Sequence, residues 1–393
     1  MRANRRAQTS INLRRQRKGS VLVFTAMMMV VMMGLLALAV DVGYLENARC
    51  QLQKSADAAA LAAAAELIDD EALTGTASMS DEISSARAMA IQFAAANTVC
   101  STAPVVDANT GNNTSGDVVV GYIADLSNSH SSMSTTNQDL FNSVQVRVRR
   151  NTIRNGDVPH FFAKVLGVNG TGVEGTATAA IMKNIKGFQI PDDGSNLGLL
   201  PFALDKQTWD GLLAGGGTDS WTWDEATDTL RSGGDGVREV NLFPQATGSS
   251  GNRGTVDIGP SNNSTSDIAR QILHGVNQAD LDAIGGKIEF DANGQLFLNG
   301  DTGISAGVKD ELAAIRGQPR TIPIFSAVNG PGNNAQYTIV AFAGVRIMEV
   351  KLTGSQSTKK VIIQPAKVVS RGAIPNDGAT SSYFVYSPVW LVR

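Results

Sequence analysis

VLVFTAMMMVVMMGLLALAV runs from Val21 to Val40 with Thr25 as its only polar side chain. At 1.5 Å per residue, about 20 helical residues cross the roughly 30 Å hydrocarbon core of a bilayer. The run therefore reads as a transmembrane helix, and the rest of the chain is read relative to a membrane. A cleaved signal peptide is the alternative, because Ala37-Leu38-Ala39 fits a small-residue cleavage site. Against cleavage, the apolar run is longer than a signal core, and the sequence behind it stays helical without a break.

The flanks set the orientation. Arg2, Arg5, Arg6, Arg14, Arg15, Arg17 and Lys18 precede the span with no acidic companion, whereas Asp41, Glu46, Arg49, Lys54 and Asp57 follow it. Positive charge beside a span stays in the cytoplasm. The expectation is residues 1–18 as a basic cytoplasmic tail, 19–40 as the membrane helix and the bulk of the chain outside. The chain holds 33 basic and 36 acidic residues. Subtracting the basic tail leaves a distinctly acidic remainder, which argues against nucleic acid as a partner.

Beyond the span, no proline occurs before Pro104, and Gly43 is the only glycine between Asp41 and Leu73. Leu45, Ala48, Leu52, Ala56, Ala59, Ala63 and Leu67 recur at spacings of three and four, one helical stripe. The alanine run at 58–60 and 62–65 has the highest helix propensity available. A second helix is expected from Asp81 to Ala96, capped by Ser80, with Ile83, Ala86, Ala90 and Phe93 buried. The turn between them centres near Gly75. Cys50 and Cys100, the only cysteines, lie symmetrically about that turn. An oxidising compartment permits a bridge, so a Cys50–Cys100 disulfide stapling the helix pair is the expectation, with two unrelated thiols as the alternative.

Three stretches carry a family resemblance: Arg14 to Phe24 (RRQRKGSVLVF), Leu38 to Gly43 (LAVDVG) and Gln53 to Ala62 (QKSADAAALA). With the span between them, residues 14–66 resemble the N-terminal segment of TadE/TadG-like proteins of the bacterial tight-adherence (Flp) pilus-assembly system. The cleaved pseudopilins of that system carry Gly before the apolar run and Glu five residues on. Here Gly19 is followed at that distance by Phe24, which favours the uncleaved TadG-like branch. The resemblance implies a structural component in the bacterial inner membrane. Its implied partners are the membrane and other pilus-assembly or envelope proteins. Separately, the Met- and Ala-rich span suits lateral packing against other helices in the bilayer, a second copy of its own included.

Residues 117–123, Val144 to Arg149 and Val173 to Met182 read as strands of a small sheet. Val158 to Leu166, with Phe161 and Phe162, reads as a short helix covering it. A long helix on an antiparallel sheet is a pilin-like outline, inferred from element order alone. The expected fold class is thus α+β: a single transmembrane helix continuing into a long extracytoplasmic helix packed on a small antiparallel sheet over 41–183. A linker is expected at 184–196 and a β-rich domain at 197–393. In that domain Asn293-Gly294 predicts a hairpin between 287–291 and 295–298. Strands are expected at 338–352, 360–363 and 383–391, and helices at Thr265 to His274 and Val308 to Ile315.

Three constellations invite chemistry. Asp125-Leu126-Ser127-Asn128-Ser129 has the D-x-S-x-S pattern of von Willebrand A-type metal sites, in which Asp and two Ser supply hard oxygens to Mg²⁺. That fold needs a parallel core with a helix after each strand. The polar run that follows favours a loop, leaving Asp125, Ser127 and Ser129 as an alternative, metal-dependent adhesion site. Asp301-Thr302-Gly303 looks like an aspartic-peptidase motif, but two carboxylates must share a proton and no second such motif occurs. Trp209, Trp221 and Trp223 read as packing residues of a small domain, with a sugar-stacking surface as the alternative. His130, His160 and His274 share no metal-ligand spacing. The expected function is therefore non-enzymatic, without catalytic residues or cofactor. An extracytoplasmic hydrolase using Asp301 is the remotest alternative.

Overall fold

The computed structural model describes residues 20–68, 71–74, 78–126, 128, 130–244, 253–260, 264–301, 303–330, 334–376 and 378–392. The fold is mixed α+β. Helix α1 (Ser20–Ala65) is unbroken over 46 residues, about 69 Å of continuous rod. From Asp41 onward one face is buried, through Ala48, Leu52, Ser55, Ala56, Ala59, Ala60, Ala63 and Ala64. Small side chains bring the helix backbone onto a sheet. At Gly175 an added Cβ would stand 2.7 Å from the Leu52 carbonyl carbon and 2.8 Å from the Gln53 nitrogen. Gln53 Nε2 completes the contact by donating to the Thr176 carbonyl at 3.0 Å.

Helix α2 (Met79–Ala96) lies against α1. Its cap is Ser78, two residues earlier than the expected Ser80: the Ser78 hydroxyl accepts from the Ser80 amide at 3.4 Å. Ile83, Ala86 and Ala90 are buried as expected, but Phe93 is 40% exposed. Ala94, four residues after Ala90, takes its place in the stripe, and the Ser55 hydroxyl donates to its carbonyl at 3.2 Å. The turn expected near Gly75 lies outside the described residues.

The sheet under α1 has four antiparallel strands: β1 (Val118–Gly121), β2 (Ser143–Arg150), Val173–Ala180 and Trp390–Leu391. Alternation puts Val144, Val146 and Val148 into the core under the alanine spine. The outer edge of β1 is closed to further pairing. Asn112 exchanges bonds with both backbone groups of Val120, at 2.7 and 2.9 Å, and Asn109 donates to the Val118 carbonyl. Covering an edge in this way removes a template for aggregation.

Several expectations are corrected. Residues 158–166 do not form a helix over the sheet. Val158–Pro159 pairs with Gly170–Thr171, and Ala163–Leu166 is a 3-10 turn at the end of the platform where α1 enters. The expected linker, 184–196, contains the strand Ile185–Phe188, paired with both Ile288–Glu289 and Ala373–Pro375. The Asn293-Gly294 turn closes, with the Asp291 amide donating to the Gln295 carbonyl at 2.8 Å. Its arms then diverge: Ile288–Glu289 joins Ile185–Phe188, and Leu296–Asp301 joins a different sheet.

That sheet closes on itself. Five strands pair in a ring, in the order Ala335–Lys351, Leu296–Asp301, Gly254–Val256, Phe202–Asp205, Pro319–Asn329 and back to Ala335–Lys351. The 17-residue strand Ala335–Lys351 is long enough to pair on both edges and then extend to Lys360–Pro365. Alternation along Phe202–Asp205 sends Phe202 and Leu204 to one apolar cluster and Ala203 to the other. Helices Thr265–His274 and Lys309–Ala314 cover the first of these clusters. The chain then returns to the platform. Met182 N donates to Ser387 Oγ at 2.8 Å, and Trp390 pairs with Ala180. The expected strand 383–391 is therefore three short pieces serving three sheets.

Two outcomes follow from this packing. Gly175→Val forces α1 off the sheet and is expected to cost about 3 kcal/mol, the upper end of overpacking penalties, read as a lower denaturant midpoint. Burial, with Asp267 adding to it, pushes the Asp257 carboxyl up to about 6. The native state thus holds a proton that the unfolded chain releases near 3.8, so stability falls as pH rises from about 4 to 6 and is level above. Asp257→Asn is expected to melt higher than the parent above about pH 7, with the difference gone below about pH 4; thermal scans at both ends check it.

Candidate functional site: the anchor and its exit

From Val21 to Val40 the large apolar side chains point outward, Val21 at 74% and Leu22 at 77% exposure. Each costs about 1.5–3 kcal/mol to leave in water, so the segment demands an apolar surrounding. Among the described residues, α1 is the one helix long and apolar enough to cross a membrane, judged by length and composition. The burial pattern switches at Asp41, one residue beyond the expected span. Exposed apolar helix gives way there to the buried spine.

Asp41 marks the switch with a specific structure. Its side chain is 3% exposed. Oδ1 accepts from the Phe161 amide at 2.6 Å and the Phe162 amide at 3.2 Å. Oδ2 accepts from Phe162 at 3.1 Å and from Ala163 at 2.7 Å. These three amides open the 3-10 turn Ala163–Leu166, whose first N–H groups lack partners within the turn. A carboxylate from a distant helix caps it. Tyr44, one turn along α1, meets Phe161 edge-on at 4.9 Å between ring centres. His160 stands beside this contact, its Nε2 2.8 Å from Thr171 Oγ1. Burial raises the Asp41 carboxyl, but the amides of Ala163, Phe161 and Phe162 and the charge of His160 more than offset it. The net effect holds the group below the ordinary 3.8.

Among the described residues, no group of three or more His, Cys, Asp or Glu side chains could hold a metal ion. Ser127 and Ser129 lie outside the described residues. Asp125 lines a cleft of about 500 Å³ with Tyr122, Asn142, Lys183, Asn184 and Trp390, at the junction of platform and C-terminal region. The strand before it, β1, belongs to an antiparallel sheet, not the parallel core of an A-type domain. Cys50 and Cys100 are free thiols. The expected bridge is absent because residues 97–102 bring Cys100 to a different face of α1, where its amide donates to Gln51 Oε1 at 2.7 Å. Cys50 points to solvent. Asp301 closes a barrel strand opposite Thr255, and its neighbour Thr302 lies outside the described residues. Trp209 is fully buried, and the Trp223 ring is covered by the Arg346 guanidinium at 4.6 Å. Those two faces are therefore already occupied.

Asp41 was visible in the sequence only as part of a motif and a flank. Its function was signalled by a carboxylate directly behind 20 apolar residues, which must find donors if it is buried. The partner segment was misread as a sheet-covering helix. Gly167, whose φ of +84° ends the turn after four residues, is the signal that it is short.

Two family models match the chain. One, described as "Putative Flp pilus-assembly TadE/G-like", matches residues 19–66. The other, described as "Putative Tad-like Flp pilus-assembly", matches residues 53–179. Together they cover the anchor, the spine and the platform, so the TadE/TadG-like resemblance is borne out and extends well past residue 66. No curated protein and no solved structure matches the chain. Asp41→Asn replaces one accepting oxygen by a donor amide facing N–H groups. Amide hydrogen exchange at Phe161, Phe162 and Ala163 is expected to accelerate, while exchange in α2 stays as in the parent.

Proposed function

We propose that this chain is a single-pass, membrane-anchored structural component of a Flp pilus-assembly system, working through protein–protein contact rather than catalysis. The reading that its N-terminus is cytoplasmic and its bulk extracytoplasmic, on the bacterial inner membrane, rests on the seven basic residues before the span. The observation that carries the proposal is the continuity of α1. One rod passes from exposed apolar surface to buried spine at Asp41, and the family matches begin on that rod and end on the sheet it supports.

In this reading residues 1–18 form the cytoplasmic tail and 19–40 the anchor. Residues 41–183 form a platform, completed by the last strand of the chain, and the barrel beyond it presents a surface to envelope or pilus partners. Laterally, the span offers small and flexible side chains, Gly34, Ala37 and five methionines at 27–29 and 32–33, for packing against a neighbouring helix. No cofactor takes part.

The test is intact mass after alkaline carbonate washing of membranes. Full-length protein of 41.3 kDa that stays in the pellet is the expected result. A soluble form beginning near Val40 overturns the anchor, and a deletion strain that assembles normal Flp-type pili overturns the assembly role.

A further inference from the structure

The segment that Asp41 captures is apolar and turned outward. Phe161 is 56% exposed, Phe162 48%, Val165 87%, Leu166 84% and Val168 49%. Lys164 is exposed among them. Side chains of this kind are normally buried, and five within eight residues form a patch with no covering element among the described residues. A soluble platform would gain by turning Val165 and Leu166 inward. Instead the turn is fixed outward by three backbone bonds to Asp41 and by the Tyr44–Phe161 contact.

The position of the patch says what covers it. Asp41 is one helical rise, about 1.5 Å, past the end of the span. The headgroup layer extends roughly 5–7 Å beyond the hydrocarbon on each side. Groups bonded to Asp41 therefore sit in that layer when α1 spans the bilayer. The strand geometry agrees, since the sheet end nearest the patch is the end at which α1 enters. We infer that residues 161–168 are a second membrane contact. In this contact Phe161, Phe162, Val165, Leu166 and Val168 insert into the interfacial layer of the bilayer that α1 crosses, with Lys164 placed for anionic headgroups.

The inference rests on the span being retained in the membrane. One point of attachment leaves a rod free to tilt and rotate. A second, off-axis point fixes the platform's azimuth and its height above the bilayer. The captured turn thus sets the direction in which the barrel faces.

The test uses the full chain carrying Cys50→Ser and Cys100→Ser, reconstituted in phosphatidylethanolamine–phosphatidylglycerol vesicles. Single nitroxide labels go on Val30→Cys, Val165→Cys, Leu166→Cys and, as a solvent reference, Thr227→Cys in an exposed turn. Collisional relaxation by oxygen relative to a water-soluble nickel complex reports depth. Labels at 165 and 166 are expected to favour oxygen several-fold over the label at 227, approaching the label at 30. A lipid-embedded label at 30 with water-exposed labels at 165 and 166 overturns this inference and leaves the anchor intact. Labels at 165 and 166 reached by neither relaxant also overturn it, since a second copy of the chain then covers the patch. A water-exposed label at 30 overturns the anchor and this inference together.

Discussion

The structure depends on one carboxylate meeting three amides. Asp41 ends the apolar run and begins the folded region, and its oxygens are fully engaged by Phe161, Phe162 and Ala163. A charge at that depth is costly unless hydrogen bonded. A 3-10 turn likewise leaves its first N–H groups without internal partners. Each solves the other's problem. Because the partners lie 120 residues apart in sequence, the bond pins the platform to the rod where the buried spine begins. Charge-assisted bonds of this kind are the strong ones.

The spine above the latch works by subtraction. Alanine at 48, 56, 59, 60, 63 and 64 leaves no side chain to hold the sheet away, and Gly175 removes the Cβ on the other side. The contact is then backbone on backbone, and Gln53 and Ser55 supply the polar links from α1 to Thr176 and Ala94. Such packing buries little apolar area per residue and lets the two backbones approach closely.

How much of this was legible follows from range. The span, the alanine stripe, the valines at 144, 146 and 148 and the helix Thr265–His274 are set by local period, and each stands where periodicity placed it. Pairing between distant segments was not legible. Nothing local in Ile185–Phe188 distinguishes a linker from a strand that borrows two partners 100 and 190 residues away. The Asn293-Gly294 turn was readable because its chemistry lies within five residues; the fate of its arms was not, because other strands compete for them. Phe93 and Ala94 show the same limit at one-residue scale, since both continue the stripe at helical spacing and only the packing against α1 buries Ala94 and leaves Phe93 exposed. At Asp41 the need for partners was readable and their identity was not.

The return of the chain end is the last step in the architecture. Trp390 and Leu391 complete the platform sheet beside Val173–Ala180, and Ser382, Ser387 and Val392 bond back to residues 178–185. The barrel is thus inserted between two strands of the platform rather than hung from its end. A domain on one linker swings independently, whereas one held by two crossings moves with its support. The strand Ile185–Phe188 reinforces this, since it leaves the platform and pairs immediately with both sides of the C-terminal region. The contact of Asp41 with residues 161–163 is therefore linked through α1 and the sheet to the barrel.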